Sequence, residues 1–258
     1  MHAEGIIPYR RRDHPDAVWH VTDRVNWQCW HLARDQALAV FLRAFDSATR
    51  AFDVDVLAWV VMSNHVHAVL RSPGENRFTE LTSRRTKCRH NRPYPPGSPR
   101  SSVIGQCMAK LKLEVCNSIQ EHLGVSGHFW EGRHNRQLIT DPRGLIIRIA
   151  YDHRNPVRAG MTARAEQYER SSAAWWADGS RGPINLCRRA DLPFGLALDS
   201  LRHAVAHYQE SKLVDDIMEG MMRRRLRPDS EAGQQLFSQL MDKAGIHRPG
   251  AASVPHLS

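Results

Sequence analysis

Residues 54–62 and 65–71 form two β-rich apolar runs separated only by Ser63 and Asn64. The first run is apolar on both faces, as a strand inside a sheet must be. Ser63 and Asn64 supply turn chemistry, so the second run reads as the returning strand of a hairpin. A lone hairpin is not stable in water, and its faces need further elements. Residues 18–25 read as an earlier strand. Between it and the hairpin, Leu38, Phe41, Leu42, Phe45, Ala48 and Phe52 recur at helical spacing behind Asp35, a predicted N-cap. After the hairpin, Ile104, Met108, Leu111, Val115, Ile119 and Leu123 mark a second helix, with Gly124 as its stop. Residues 129–139 read as another strand. The order β-α-β-β-α-β predicts an α+β fold with a ferredoxin-like split sheet, two helices on one face and the other face free.

Residues 72–101 interrupt this pattern with Pro73-Gly74, then Pro93, Pro95, Pro96, Gly97 and Pro99, and the proline-rich part reads as an exposed loop carrying many of the basic residues. A later helix is sharply punctuated: Asp141 as N-cap, Pro142 as first residue and Pro156 as stop, so about residues 142–154. Beyond residue 175 the signal weakens. Residues 194–222 carry helical periodicity, followed by Arg223-Arg224-Arg225, and residues 231–244 read as one more helix. The expected organisation is a domain over residues 1–175 and a helical C-terminal extension over 176–258, with no internal repeat.

The 258 residues carry a formal net charge of +9, which favours a polyanionic partner. Between Glu80 and Glu114 there is no acidic residue, while Arg84, Arg85, Lys87, Arg89, Arg92, Arg100, Lys110 and Lys112 all fall there. So one-sided a segment predicts phosphate binding rather than a mixed solvated surface. The longest apolar run is far too short to cross a bilayer, and Arg10 to Arg12 have no apolar stretch behind them, so neither membrane span nor secretory signal is expected. The five cysteines are scattered without a C-x-x-C pair, which argues against a disulfide framework or structural zinc and for the cytoplasm, nucleoid-associated when bound to DNA.

Candidate chemistry begins at His65-Val66-His67. On a strand both imidazoles share one face, roughly 7 Å apart, and can converge on a divalent ion, while Val66, Ala68 and Leu70 supply the opposite, buried face. With 15 histidines in the chain, the spacing alone is a weak signal. Its neighbours exclude several chemistries: a histidine triad needs a third His where Val69 stands, a two-histidine phosphodiesterase needs Ser or Thr where His67 and Val69 stand, and a zincin helix needs His at i, i+4 around a Glu. On the helix starting at Pro142, Leu145, Ile146, Ile149 and Ala150 share one arc. Tyr151 falls off it, on the flank of Arg148 and Asn155, which reads as a rim rather than a core position. Tyr151 and Asn155 stand at i, i+4, about 5–6 Å apart at Cβ. A phenol attacks a phosphodiester at neutral pH only with help, and a metal that polarises the phosphate supplies it. Two neutral imidazoles plus an amide or carboxyl oxygen suit Mg²⁺ or Mn²⁺.

Four segments occur in this order: Trp19-His20-Val21-Thr22-Asp23-Arg24, Met62-Ser63-Asn64-His65-Val66-His67, Phe129-Trp130-Glu131-Gly132-Arg133, and Tyr151-Asp152-His153-Arg154-Asn155-Pro156-Val157-Arg158-Ala159-Gly160. Over roughly residues 15–175 the chain resembles the HUH single-tyrosine transposases, in particular the REP-associated tyrosine transposase branch. The resemblance implies His65 and His67 as metal ligands, Asn155 as the third, and Tyr151 as the nucleophile. It further implies cleavage of single-stranded DNA at the foot of a hairpin or palindromic repeat, in DNA transposition, through a 5′-phosphotyrosine intermediate. Arg133 and Arg158 would lie near the DNA path, and the protein would act as a monomer or homodimer.

Three departures stand out. Asp152 replaces an apolar residue and would either add a ligand to the metal or face water, the second being the expectation. Ser63 replaces a proline in the hairpin turn. The basic proline-rich segment at 84–100 looks like an insertion, so DNA contacts from Arg84, Arg85 and Lys87 are inferred from charge alone. A domesticated sequence-specific DNA-binding protein without cleavage activity is the alternative. An RNA-binding module ranks lower, because no aromatic pair of the RNA-recognition type appears on the central strands.

Overall fold

The computed structural model describes residues 13–26, 31–83, 102–123, 128–180 and 182–223, together with 235, 236, 238, 239 and 242. Four strands make one antiparallel sheet: β1 (Val18–Arg24), β2 (Asp55–Val61), β3 (His65–Arg71) and β4 (Asn135–Ile139), ordered β2-β3-β1-β4. Helices α1 (Asp35–Ala51) and α3 (Val103–Leu123) connect β1 to β2 and β3 to β4, which gives the predicted α+β, ferredoxin-like order. Five elements come near their predicted bounds because apolar periodicity is strong in each. Asp35 opens α1 in its first turn, and Arg34 holds the cap position. The fourth strand is shorter than expected. Trp130 bridges Val25 separately, and a bend over residues 131–134 precedes β4.

Register assigns the two faces of the sheet. His20 lies opposite Val69, Thr22 opposite His67, and Val60 opposite His67 on the other side. Paired residues point the same way, so His20, Thr22, His65 and His67 share one face. Trp19, Val21, Val66, Ala68 and Leu70 point oppositely and are buried in the main core with α1 and α3.

The expectation that the second face stays free is corrected by α4 (Pro142–Arg158), which packs across β2 and β3 on the histidine face. Its start is as predicted: Asp141 Oδ1 accepts from Gly144 N at 3.0 Å, and Pro142 sits in the first turn. Its end is not. The helix continues through Pro156 to Arg158. Proline has no N–H for the carbonyl four residues back, here that of Asp152. Asn155 Nδ2 donates to that carbonyl and to the Tyr151 carbonyl, both at 3.2 Å, so a side chain takes over the missing backbone bond.

The segment from residue 72, where the apolar pattern breaks, opens with α2 (Glu75–Ser83), a short polar helix without a strong apolar stripe, and the proline-rich part expected to be an exposed loop lies outside the described residues. Lys110 and Lys112 of the basic region are engaged inside the protein, Lys110 on Glu114 and Lys112 on Asp23 and the Gly132 carbonyl. C-terminal to α4 come α5 (Ala173–Asp178), α6 (Leu198–Gln209) and α7 (Leu213–Arg223); α6 and α7 fold back onto α4, and α5 packs on α6. Residue 175 falls inside α5, and Trp176 is fully buried in the main core. The same stretch covers the outer edge of β2. Val61 N donates to Arg170 O (2.9 Å), Ser172 N to Trp59 O (2.9 Å), Trp176 Nε1 to Leu57 O (2.9 Å) and Cys187 N to Val56 O (3.0 Å). The residues expected to form a helix at 231–244 lie mostly outside the described ones. Among the described residues no helix is long and apolar enough to cross a membrane.

Candidate metal and tyrosine site

The histidine face of the sheet and the underside of α4 meet at Asp152. Far from facing water, Asp152 is fully buried, because α4 packs across β2 and β3 on the histidine face. His20 Nε2 donates to Asp152 Oδ1 at 2.9 Å, and His67 Nδ1 stands 3.4 Å from that same oxygen and 3.4 Å from His20 Nε2. The His20 and His67 rings stack with centroids 5.5 Å apart. Neighbouring ligands of one ion bonded at ~2.1 Å stand ~3.0–3.5 Å apart, so this triangle has the size of one face of a metal's coordination shell. His20, His67 and Asp152 could therefore hold a metal ion. The other carboxylate oxygen, Asp152 Oδ2, is buried without a hydrogen-bond partner. A buried acceptor rarely goes unsatisfied, and a cation on Asp152 would supply what is missing.

Electrostatics agree with a ligand role. Burial pushes His67 down to about 3, with Asp152 opposing and His20, His65 and Arg148 reinforcing the shift. His65 is pushed down to about 4, by burial and then by Arg24. Both rings are thus neutral near pH 7 and keep a lone pair. Burial alone would raise Asp152, but the charge and hydrogen bond of His20, followed by His67 and Arg148, bring it below its ordinary value. An ionised carboxylate beside neutral imidazoles is a donor set suited to a divalent cation.

The other residues singled out by sequence are placed as follows. His65 stands edge-on to His67, centroids 5.0 Å apart, and its Nδ1 donates to Asn64 Oδ1 at 2.7 Å. That leaves Nε2 as its lone-pair nitrogen. Asn155 spends its amide N–H groups on α4 carbonyls, as described above. Tyr151 is not at the rim: it is 7% exposed, in a cluster with Ile147, Ala150, Val214, Ile217 and Met218. An arc calculation on α4 alone could not anticipate this, because the covering side chains belong to α7. Arg158 lies over the Tyr151 ring (4.8 Å) and is 3.7 Å from both Asp215 and Glu219. Arg133 is exposed next to β4. Arg84, Arg85 and Lys87 lie outside the described residues.

Sequence reasoning did not nominate His20 for the metal and turned Asp152 outward. His20 alternates with Thr22 on β1 and so was assignable to the histidine face, but its meeting with Asp152 spans 132 residues of sequence. No periodicity reports a contact of that range.

No protein-family model and no curated protein matches the chain. Among solved structures, the chain is similar to a REP-associated tyrosine transposase bound to a REP hairpin. The TM-score is 0.46 at 16% identity, over 73% of this chain and 96% of that one. It is also similar to a putative transposase from Deinococcus radiodurans R1, with a TM-score of 0.33 at 12% identity over 57% of this chain and 87% of that one. Neither likeness is close enough to carry the reading that follows, which rests on the side chains of this chain.

Proposed function

We propose that the protein is a single-tyrosine DNA transposase or nickase, in which Tyr151 attacks a phosphodiester of hairpin-bearing single-stranded DNA next to a divalent metal ion. The observation that carries this reading is the junction on α4. Tyr151 and Asp152 are consecutive, and Asp152 reaches the two ring nitrogens of His20 and His67.

The Tyr151 oxygen forms a bond to phosphorus and the bond to the 3′-oxygen breaks. The phenol gives up one proton and the leaving oxygen takes up one. The products are a 5′-phosphotyrosine and a free 3′-OH, from which the reverse attack can rejoin a strand. His20, His67 and Asp152 hold the ion in this reading, with Mg²⁺ or Mn²⁺ as candidates, and His65 flanks it. When bound, such an ion neutralises charge developing on the phosphate and eases departure of the 3′-oxygen. A cation there would take the Nε2 lone pair of His20, whose ring proton would then sit on Nδ1. Arg133, and the basic segment with Arg84, Arg85 and Lys87, are proposed to contact phosphates along the strand.

Incubating the full chain with Mn²⁺ and an end-labelled hairpin oligonucleotide should give a covalent adduct that survives denaturation. Tyr151→Phe should abolish it; an adduct in that variant would assign the nucleophile elsewhere. One observation favours a second reading, a DNA-binding protein without cleavage: Tyr151 is covered by Val214, Ile217 and Met218. Tight binding of the hairpin with no adduct under either metal would establish it.

A further inference from the structure

The reaction drawn above leaves Arg148 without a task. It lies on α4 three residues before Tyr151 and four before Asp152, the spacings that place side chains on one flank of a helix. It is 7% exposed. The groups that face it are Asp152, Tyr151 and His67. Yet among the described residues no acceptor lies within hydrogen-bonding distance of its guanidinium, and no carboxylate, Asp152 included, comes within ion-pair distance.

The other buried arginines show how unusual this is. Arg71 is paired with Asp16 and Asp191, Arg136 with Ser102, Arg143 with Asp242 and Ser238, and Arg154 with Asp215 and the Gln209 carbonyl. A nearly buried guanidinium without a protein acceptor leaves its N–H donors to solvent or to a ligand, and none of its nitrogens is among the described buried atoms that lack a partner, so the fork still reaches the surface. One helical turn away, Asp152 Oδ2 is a buried acceptor without a donor. The two groups lie on the same flank and do not satisfy each other. A cation on the carboxylate together with an anion on the guanidinium would satisfy both.

We infer that Arg148 is the anion-binding residue of this site and that its ligand is a phosphodiester group of the DNA strand, an inference that rests on the reading of Tyr151 given above. The planar fork of a guanidinium matches the two non-bridging oxygens of a phosphodiester. A phosphate held there would stand on the flank of α4 that carries Arg148, with its charge met by the guanidinium.

The test uses the full chain carrying Tyr151→Phe, so that DNA stays intact, and compares Arg148 with Arg148→Met and Arg148→Lys. Binding of a labelled hairpin with a single-stranded flank is followed over a salt series, and thermal unfolding is followed with and without inorganic phosphate. Arg148→Met should not lower the melting temperature, because it removes no hydrogen bond or ion pair within the protein. It should weaken DNA binding roughly ten- to a hundredfold, the scale of a lost charged hydrogen bond, and flatten the slope of log K against log salt by about 0.7. Arg148→Lys should recover part of both. A lower melting temperature in Arg148→Met with unchanged affinity and slope would make the guanidinium a structural group and overturn the inference. Stabilisation by inorganic phosphate that depends on Arg148, with no change in DNA binding, would overturn the strand as ligand. Failure of the wild-type chain to form an adduct would instead count against the transposase reading and leave these comparisons intact.

Discussion

Asp152 and Asn155 sit one turn apart on α4 and make different contacts, where the family resemblance implies the ligand role for Asn155. Asp152 offers its carboxylate to His20 and His67, whereas Asn155 repairs the helix where Pro156 cannot donate. The substitutions should separate accordingly. Asp152→Asn should lower Mn²⁺ affinity at least tenfold by titration calorimetry, the scale of losing a charged ligand. Asn155→Ala should leave Mn²⁺ affinity nearly unchanged and cost about 1 kcal/mol in urea unfolding, for the carbonyl it abandons. If Asn155→Ala abolished metal binding and Asp152→Asn did not, the ligand set implied by the family resemblance would be the right one. His153 provides a second check at this scale. Its Nε2 donates to Ser172 Oγ (2.8 Å) and its Nδ1 accepts from Gln209 Nε2, so a proton on Nδ1 would set two donors against each other. Burial accordingly pushes His153 down to about 3. The unfolded chain, with an ordinary histidine near 6.5, takes the proton first. Stability present above pH 6.5 is therefore lost as pH falls towards 3, by about 2 kcal/mol at pH 5 for this residue. His153→Asn should shrink the difference in urea stability between pH 7 and pH 5 by that amount, and an unchanged difference would refute the assignment.

At the scale of elements, α7 lies across the face of α4 that carries Tyr151. Val214, Ile217 and Met218 cover the ring, and the helix is anchored by Arg154 on Asp215. That pair is nearly buried on both sides, so removing one partner strands a charge. Asp215→Ala should loosen α7 by about 3 kcal/mol, read as faster amide exchange over residues 213–223, and should raise the chemical nitration rate of Tyr151. Unaltered exchange and nitration would mean that the apolar contacts alone seat the helix. Legibility in the sequence follows the same division. Strands and long helices carry their own periodicity, so β1 to β3, α1 and α3 could be read from residue spacing. The short polar α2 carries no apolar stripe, and α4 overran its proline because one asparagine amide overrides the proline rule. The histidine pair was visible through period two. Its partners His20 and Asp152 were not, because sheet register and a crossing helix bring them in. The cover over Tyr151 was hidden for the same reason: α7 has a strong apolar face, but the sequence does not say which surface it meets.

For the whole molecule, the residues beyond 175 complete the sheet domain. Trp176 fills the main core, and residues 170–187 pair with the outer backbone edge of β2. A chain cut after residue 175 should expose the Leu57 and Val56 carbonyls along an apolar strand and associate through that edge. Light scattering should show aggregates for the 1–175 fragment and a single species for 1–223. Equal behaviour would mean that the edge is guarded by something else.

The covered edge also governs timing. Trp59 waits for Ser172, 113 residues later in the chain, to close its hydrogen bonds. At a synthesis rate of ~5–20 residues per second, that is a delay on the order of ten seconds. During it, β2 can pair with β3 but presents a bare outer backbone to every neighbour on a crowded polysome. A chaperone that recognises extended apolar segments has its natural client in that interval, at residues 56–61, which the finished fold covers.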